Sequence, residues 1–430
     1  MSDQAPKNPV APINGNLRTG DLSAADLRTS DLRANPRAID ELDTPPMRLQ
    51  FGPSHPATHG TVKITLDLDG EKVVWSDVEV GYLHRGFEKE CETGYYYQNI
   101  PYTDRLNYSS PLLNNIGYCM AVEKLFGIVT PPRCDYLRVI AGELSRLADH
   151  MLCIGASAME LAAFTPMLYL IEGRELMLDL TDALCGARVT TNFIRIGGVS
   201  ADMPENFRDF AMERIDRAVK LVDDAHKLLT DNPVFRRRME GTGYLSPKDL
   251  VAWGVTGPLL RAGGVPYDIR RVHPYLAYGD LDFEVPVGEH SDNFDRYLVR
   301  MAEVKQSRSM ILQCFDKLPG GPVDAHDPRV RWPAKGRVFN RMEELIDQFK
   351  LVTEGGMAPV GEVYHAVEAA NGELGFYIVS DGTGKPWKCR CRAPSFSNMS
   401  PLSKMITGGQ LADVVPTFGM INMIGGECDR

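Results

Sequence analysis

Apolar and polar positions change rhythm twice along the chain. From Met47 they alternate: Val62, Ile64, Leu66 and Leu68 occupy every second place, Asp69-Gly70 follows, and a second run extends from Glu71 to Trp75. Strand side chains point alternately to two faces, and Asp-Gly supplies the positive φ of a tight turn, so this stretch predicts a hairpin. Past Asn107 the apolar residues recur three or four apart, predicting helices over 134–164, 167–185, 206–229 and 294–318 that pack as a bundle. Near the end, residues 375–380, Asp381-Gly382 and residues 386–391 again read as strand, turn, strand. Residues 241–288, rich in Gly, Pro and Tyr, predict irregular loops and short strands.

The resulting class is α+β, with a central bundle of long helices between an N-terminal β-sheet and a C-terminal α+β region. Four regions follow: a polar arm over 1–45, a β domain with a histidine loop over 46–100, a helical bundle over 101–330 and the C-terminal region over 331–430. One apolar run, 151–171, reaches the length of a membrane span with Glu160 as its only charged residue. Pro166 interrupts it and Ala and Gly dilute it, which predicts two buried helices meeting near Thr165-Pro166.

Charge narrows the function. A formal net charge of −10 does not suit non-specific nucleic-acid binding, and Arg236-Arg237-Arg238 reads as a solvated helix end or a contact with another protein chain. The polar N-terminal stretch lacks the apolar core of a signal peptide, so a cytoplasmic chain is expected. Nine cysteines without a framework spacing fit free thiols in a reducing compartment. None forms a Cys-x-x-Cys pair, and Cys389-x-Cys391, on one face of a predicted strand, is a weak metal candidate.

Candidate chemistry centres on Gly52-Pro53-Ser54-His55-Pro56-Ala57-Thr58-His59-Gly60. Its prolines keep His55 and His59 from sharing an α-helical face as zinc ligands do, and predict a stiff loop aiming imidazoles into a cavity. Imidazole exchanges protons near neutrality, which suits donation to a bound molecule; a tight turn of hydrogen-bonded histidines fits the same spacing. His84-Arg85-Gly86 could set a permanent cation beside a redox centre, or hold an ordinary salt bridge. Tyr108 offers a phenol that both donates a hydrogen bond and releases a proton. Glu160, in an apolar helix, must find an arginine or histidine or stay protonated, which makes it a candidate proton reservoir. There is no GxGxxG after a strand, no P-loop, no His-Glu-x-x-His and no GxSxG elbow, so a nucleotide or nicotinamide site is not expected.

Taken together and in order, FGPSHPATHG, YLHRGFEKE, PYTDRLNY, FRRRMEGTG, FEVPVGEHSDNFDRYLVR, FYIVSDGTGKPWKCR and the terminal GGECDR resemble one family from about Met47 to Arg430. It is that of the D-type or 49-kDa-type subunit of proton-pumping NADH:quinone oxidoreductase, respiratory complex I, which is related to the large subunit of nickel-iron hydrogenases. The resemblance implies a hydrogenase-like fold whose vacated metal pocket binds a quinone headgroup. Hydrogenases need two Cys-x-x-Cys pairs; here Asp104-Arg105-Leu106-Asn107 and a lone Cys428 stand instead, so no metal is expected. His59 and Tyr108 would bond the quinone oxygens and supply protons, His55 would shape the loop, Glu160 would reprotonate His59, and Arg85 would tune a [4Fe-4S] cluster held by the neighbouring B-type subunit. The chain itself would hold no cofactor and would work beside the B, C, I and H subunits, peripheral at the cytoplasmic face of a bacterial inner membrane. Three positions depart from the family: Glu160, where Asp is usual, Thr190, where some members carry histidine, and Cys428, where Val is typical. A hydrogenase and a purely structural or degenerate paralogue are the rival readings; ubiquinone and menaquinone are not distinguished.

Overall fold

The computed structural model describes residues 46–59 and 61–430. The arm read over residues 1–45 lies outside them. Three antiparallel strands come first: β1 (Met47–Phe51), β2 (Lys63–Asp69) and β3 (Lys72–Glu79), in that order across the sheet. The two-residue turn is Gly70-Glu71, one position later than Asp69-Gly70, because Asp69 still pairs with Lys72 as the last residue of β2; Ile64, Leu66 and Leu68 face inward.

The bundle contains α1 (Pro111–Phe126), α2 (Pro132–Glu160), α3 (Phe164–Cys185), α4 (Phe207–Thr230) and α5 (Asn293–Lys317). The first of these is additional to the four segments expected from spacing. Nearly every side of α1 is buried, so it carries no amphipathic stripe to read. The break between α2 and α3 falls at residues 161–163, earlier than Thr165-Pro166. Pro166 sits in the first turn of α3, where its missing N–H would have had no intrahelical partner. Among the described residues, no helix is long and apolar enough to cross a membrane.

Residues 241–288 contain no strand, contrary to expectation. They form short helices at Pro247–Ala252, Pro258–Ala262 and Ile269–Val272, two opened by proline at the first position. Helix α6 (Met342–Thr353) then precedes a second three-stranded antiparallel sheet, β4 (Gly361–Ala369), β5 (Gly372–Ser380) and β6 (Lys388–Arg392). The chain closes with α7 (Leu411–Ile421) and α8 (Gly425–Asp429).

Two apolar clusters hold these parts. The larger joins the bundle to β4–β6, and the smaller lies between β1–β3, the 245–260 loops and the C-terminal helices. Through the larger runs a buried ionic network. Glu143 of α2 faces Arg146 at 3.2 Å and Arg270 at 3.1 Å, and also accepts from Tyr278 and Ser307. Arg261 meets Glu368 of β4 and Glu303 of α5, both at 2.7 Å, while His150 of α2 meets Glu303 at 2.7 Å. Helix α2 is therefore locked in rotation by partners from three sides. Removing one partner of such a buried pair costs about 3–5 kcal/mol.

Helix α7 contains a device of its own. Pro416 lies inside it and cannot donate to the carbonyl of Ala412. Arg238 fills the gap: its Nη2 donates to that oxygen at 2.5 Å and reaches Asp413 at 3.4 Å. The arginine triplet thus has one internal task, while Arg236 pairs with Glu240. Arg238→Ala is expected to cost about 0.5–1.5 kcal/mol, the net worth of a hydrogen bond to a carbonyl that water can reach. The same change in a Pro416→Ala background should cost less than half as much, because the restored amide supplies the bond; thermal unfolding of the four proteins checks it.

Candidate functional site

The histidine loop owes its shape to sterics. Gly52 has φ +73°, and a Cβ there would lie 2.0 Å from the Val62 carbonyl oxygen. The loop then makes one 3-10 turn, Pro56–Thr58, so it is not wholly free of helix as its prolines suggested; proline at the first position is compatible with so short a turn. His55 caps the turn, its Nδ1 accepting from Ala57 N–H at 3.1 Å, and its ring stands edge-on to Phe51. His59 ends the turn in the left-handed region at φ +52°, a conformation costing about 1–2 kcal/mol for a residue with a Cβ.

Glu160 is the last residue of α2, and its Oε1 lies 3.3 Å from His59 Nε2. The Glu160 side chain is 7% exposed and that of His59 33%. Burial pushes the Glu160 carboxyl above its usual range, and the His59 hydrogen bond partly offsets that. Its second oxygen, Oε2, is buried with no hydrogen-bond partner among the described residues.

These groups lie on a seam between α2 and α7. Phe418 presents its ring to His59 at 5.1 Å, Gly419 lies against Glu160, and Cys153 Sγ approaches the Gly419 carbonyl at 3.8 Å. Further along, Asn422 donates to Asp149 at 2.7 Å, and Asp149 also accepts from Asn107 at 2.8 Å. Asp149 and Glu160 are eleven residues apart, about three helical turns or roughly 16 Å, hence on one side of α2. Asn107 in turn fixes Ser109 N–H through its own side-chain oxygen at 3.0 Å, and so positions the intervening Tyr108.

Tyr108 is 46% exposed, and its hydroxyl bonds to none of the described residues. Partial burial raises its pKa, the Arg85 guanidinium draws it back, and the Asp149 carboxylate pushes it up. Arg85 has no carboxylate within ion-pair distance among the described residues; its Nη2 donates to the carbonyls of Arg105 at 2.7 Å and Gly426 at 3.2 Å. The chain's end braces that segment: Asp429 accepts from Gly81 and Leu83 N–H at 2.9 and 2.7 Å, and its carbonyl meets His84 Nδ1 at 2.7 Å.

The structure thus brings His59 and Glu160 into contact and sets Tyr108 within the field of Arg85. His55 keeps to its turn. Thr190 is exposed on the 186–190 bends, and Cys428 is a buried thiol with a raised pKa. Cys389 and Cys391 are both buried on one face of β6, and no group of three or more His, Cys, Asp or Glu side chains among the described residues could hold a metal ion. Sequence reasoning missed Asp149, Phe418, Gly419 and Asn422, whose proximity depends on the α2–α7 packing. It also missed Asp104, which burial lifts to about 6, and Glu427, lifted to about 7. The one local signal was Asp149-His150, a polar pair at the edge of an apolar run.

Comparison with known proteins places the chain among a single set of relatives. The family described as respiratory-chain NADH dehydrogenase, 49 Kd subunit, matches residues 160–430. The NADH-quinone oxidoreductase D 1 subunit of Sorangium cellulosum is 50% identical over 399 residues, covering 92% of this chain and 99% of the relative. The D subunit of the Myxococcus xanthus NADH-quinone oxidoreductase is 49% identical over 389 residues, 90% and 94% of the two chains. That of Ehrlichia canis is 44% identical over 391 residues, covering 91% and 100%.

Glu427 gives this region a pH signature. Its carboxyl is buried, with Oε1 unpartnered among the described residues and Oε2 accepting from Ser395, so the folded pKa of about 7 exceeds the ordinary value of 4.5. The folded state then binds more protons than the unfolded state between those values, and stability falls as pH rises from about 4.5 to about 7. Glu427→Gln should flatten that slope and raise the melting temperature at pH 8 relative to the parent; melting curves from pH 5 to 8 measure it.

Proposed function

The chain belongs to the family of the 49-kDa subunit of respiratory-chain NADH dehydrogenase, the D subunit of NADH-quinone oxidoreductase, and on that premise we propose that quinone is reduced at the α2–α7 seam. The observation that carries this reading is the His59–Glu160 contact. A buried carboxylate with one orphan oxygen touches an imidazole on a strained loop, and the Tyr108 phenol, which bonds to none of the described residues, feels the Asp149 carboxylate of the same helix.

Reducing a quinone to a quinol takes two electrons and two protons. A [4Fe-4S] cluster in the neighbouring B-type subunit would supply the electrons. Tyr108 donates its phenolic proton to one quinone oxygen and protonated His59 donates to the other. Nε2 of His59 is engaged by Glu160, so Nδ1 is the nitrogen that gives up the proton. Glu160 is the anion that faces the imidazolium; once His59 is neutral, the burial of Glu160 favours uptake of a proton from solvent, and the released loop turns the ring so that this proton reaches the vacated Nδ1, while Tyr108 is recharged from solvent. The Arg85 guanidinium, which draws the Tyr108 pKa down, lowers the cost of forming tyrosinate and would also stabilise negative charge on a quinone oxygen bonded to that phenol.

The same transfer couples chemistry to movement. Once His59 loses its charge, its attraction to Glu160 weakens, and a loop already held at an unfavourable φ is released to shift. That displacement is the signal passed to the membrane arm for proton translocation, with the chain seated at the cytoplasmic face of the inner membrane among the B, C, I and H subunits. The pocket descends on this reading from a hydrogenase-like metal site, and the seam now offers proton donors where an ancestor held thiolates.

Tyr108→Phe in the assembled complex should lower quinone reduction by about a hundredfold or more, the scale of a lost general acid. Reduction of the terminal cluster by NADH, followed by electron paramagnetic resonance, should be unchanged. Full activity in that variant would remove Tyr108 from the mechanism.

A further inference from the structure

Glycine inside a helix is unfavourable unless something needs its missing side chain, and Gly419 in α7 has ordinary helical φ. Space is what it supplies. A Cβ built there would fall 2.2 Å from Glu160 Oε2, 3.1 Å from Glu160 Cδ and 3.0 Å from Ser157 Oγ. Both Glu160 Oε2 and Ser157 Oγ are buried without a hydrogen-bond partner among the described residues. The neighbouring Phe418 ring stands edge-on to His59 at 5.1 Å, so one turn of α7 touches both members of the pair.

We propose that Gly419 is a positioning residue: its lack of a side chain opens the berth in which Glu160 reaches His59, and it sets the carboxylate length the site accepts. This rests on the assignment of the His59–Glu160 pair to quinone chemistry. A methyl at 419 expels the Glu160 carboxylate from its berth and takes it away from His59. Aspartate at 160, one methylene shorter, withdraws from position 419 and coexists with that methyl. Residues 160 and 419 are therefore coupled, and each substitution alters the cost of the other.

The titratable groups facing Glu160 are His59 from the loop and Cys153 from its own helix. The His59 hydrogen bond holds the carboxyl down. Leaving the berth removes that bond together with the burial that is the larger, upward influence on the carboxyl, so its pKa falls and the acidic limb of the rate profile moves to lower pH, a change that a merely slowed site would not produce.

The test uses the assembled complex carrying Gly419→Ala, Glu160→Asp, both together, or His59→Ala. Each is assayed for quinone reduction against pH and for NADH-driven reduction of the terminal cluster. Gly419→Ala should lose at least about tenfold in quinone reduction, with its acidic limb shifted downward and the cluster still reducible. The double variant should recover to within about threefold of Glu160→Asp alone. Wild-type activity in Gly419→Ala overturns the proposal, as does a loss that Glu160→Asp does not relieve or a failure of assembly common to the single and double variants. An active His59→Ala complex would instead overturn the underlying site assignment; an inactive one beside an unaffected Gly419→Ala removes Gly419 alone.

Discussion

The rotation of α2 is the constraint on which the rest depends. Glu143, Arg146 and His150 commit one side of that helix to Arg270, to the carbonyls of Glu368 and Ala369, and to Glu303. A turn of α2 about its axis would break contacts to α5, β4 and the 258–272 loops at once. Such ions are costly to bury, and a packed apolar core could be as stable; what they add is a unique register. With α2 fixed, Asp149 and Glu160 point along one side of the helix into the seam with α7.

The two halves of α2 treat charge differently. In the network every carboxylate faces at least one guanidinium: Glu143 faces Arg146 and Arg270, Asp268 faces Arg270, and Glu303 and Glu368 face Arg261. At the C-terminal end Glu160 has one imidazole and an orphan oxygen. The first arrangement holds protons and positions still. The second leaves a carboxyl that burial pushes toward its protonated form, beside a loop held in the left-handed region. On the function proposed above, rigidity along the helix and lability at its tip are complementary, because a proton relay works only when its distances are fixed by a scaffold.

How much of this was legible in the sequence follows from the range of each interaction. The β2–β3 hairpin and the long helices are written in local periodicity, so they read directly. Helix α1, buried on nearly all sides, shows no stripe, and the repair of the gap left by Pro416 joins Arg238 to a carbonyl 174 positions away, beyond any spacing rule. His59, Tyr108 and Glu160 could be singled out as candidates from residue type. Their arrangement could not: His59 and Glu160 are 101 positions apart, and Gly419 matters only because α7 lies against α2.

The most direct test of the central claim is photo-crosslinking of the assembled complex with a quinone bearing a photoreactive group on its headgroup, followed by peptide mapping. The account predicts that label falls on peptides containing His59 or Tyr108 and that excess quinone abolishes it. Labelling confined to regions away from the α2–α7 seam, with the same competition by quinone, would contradict it.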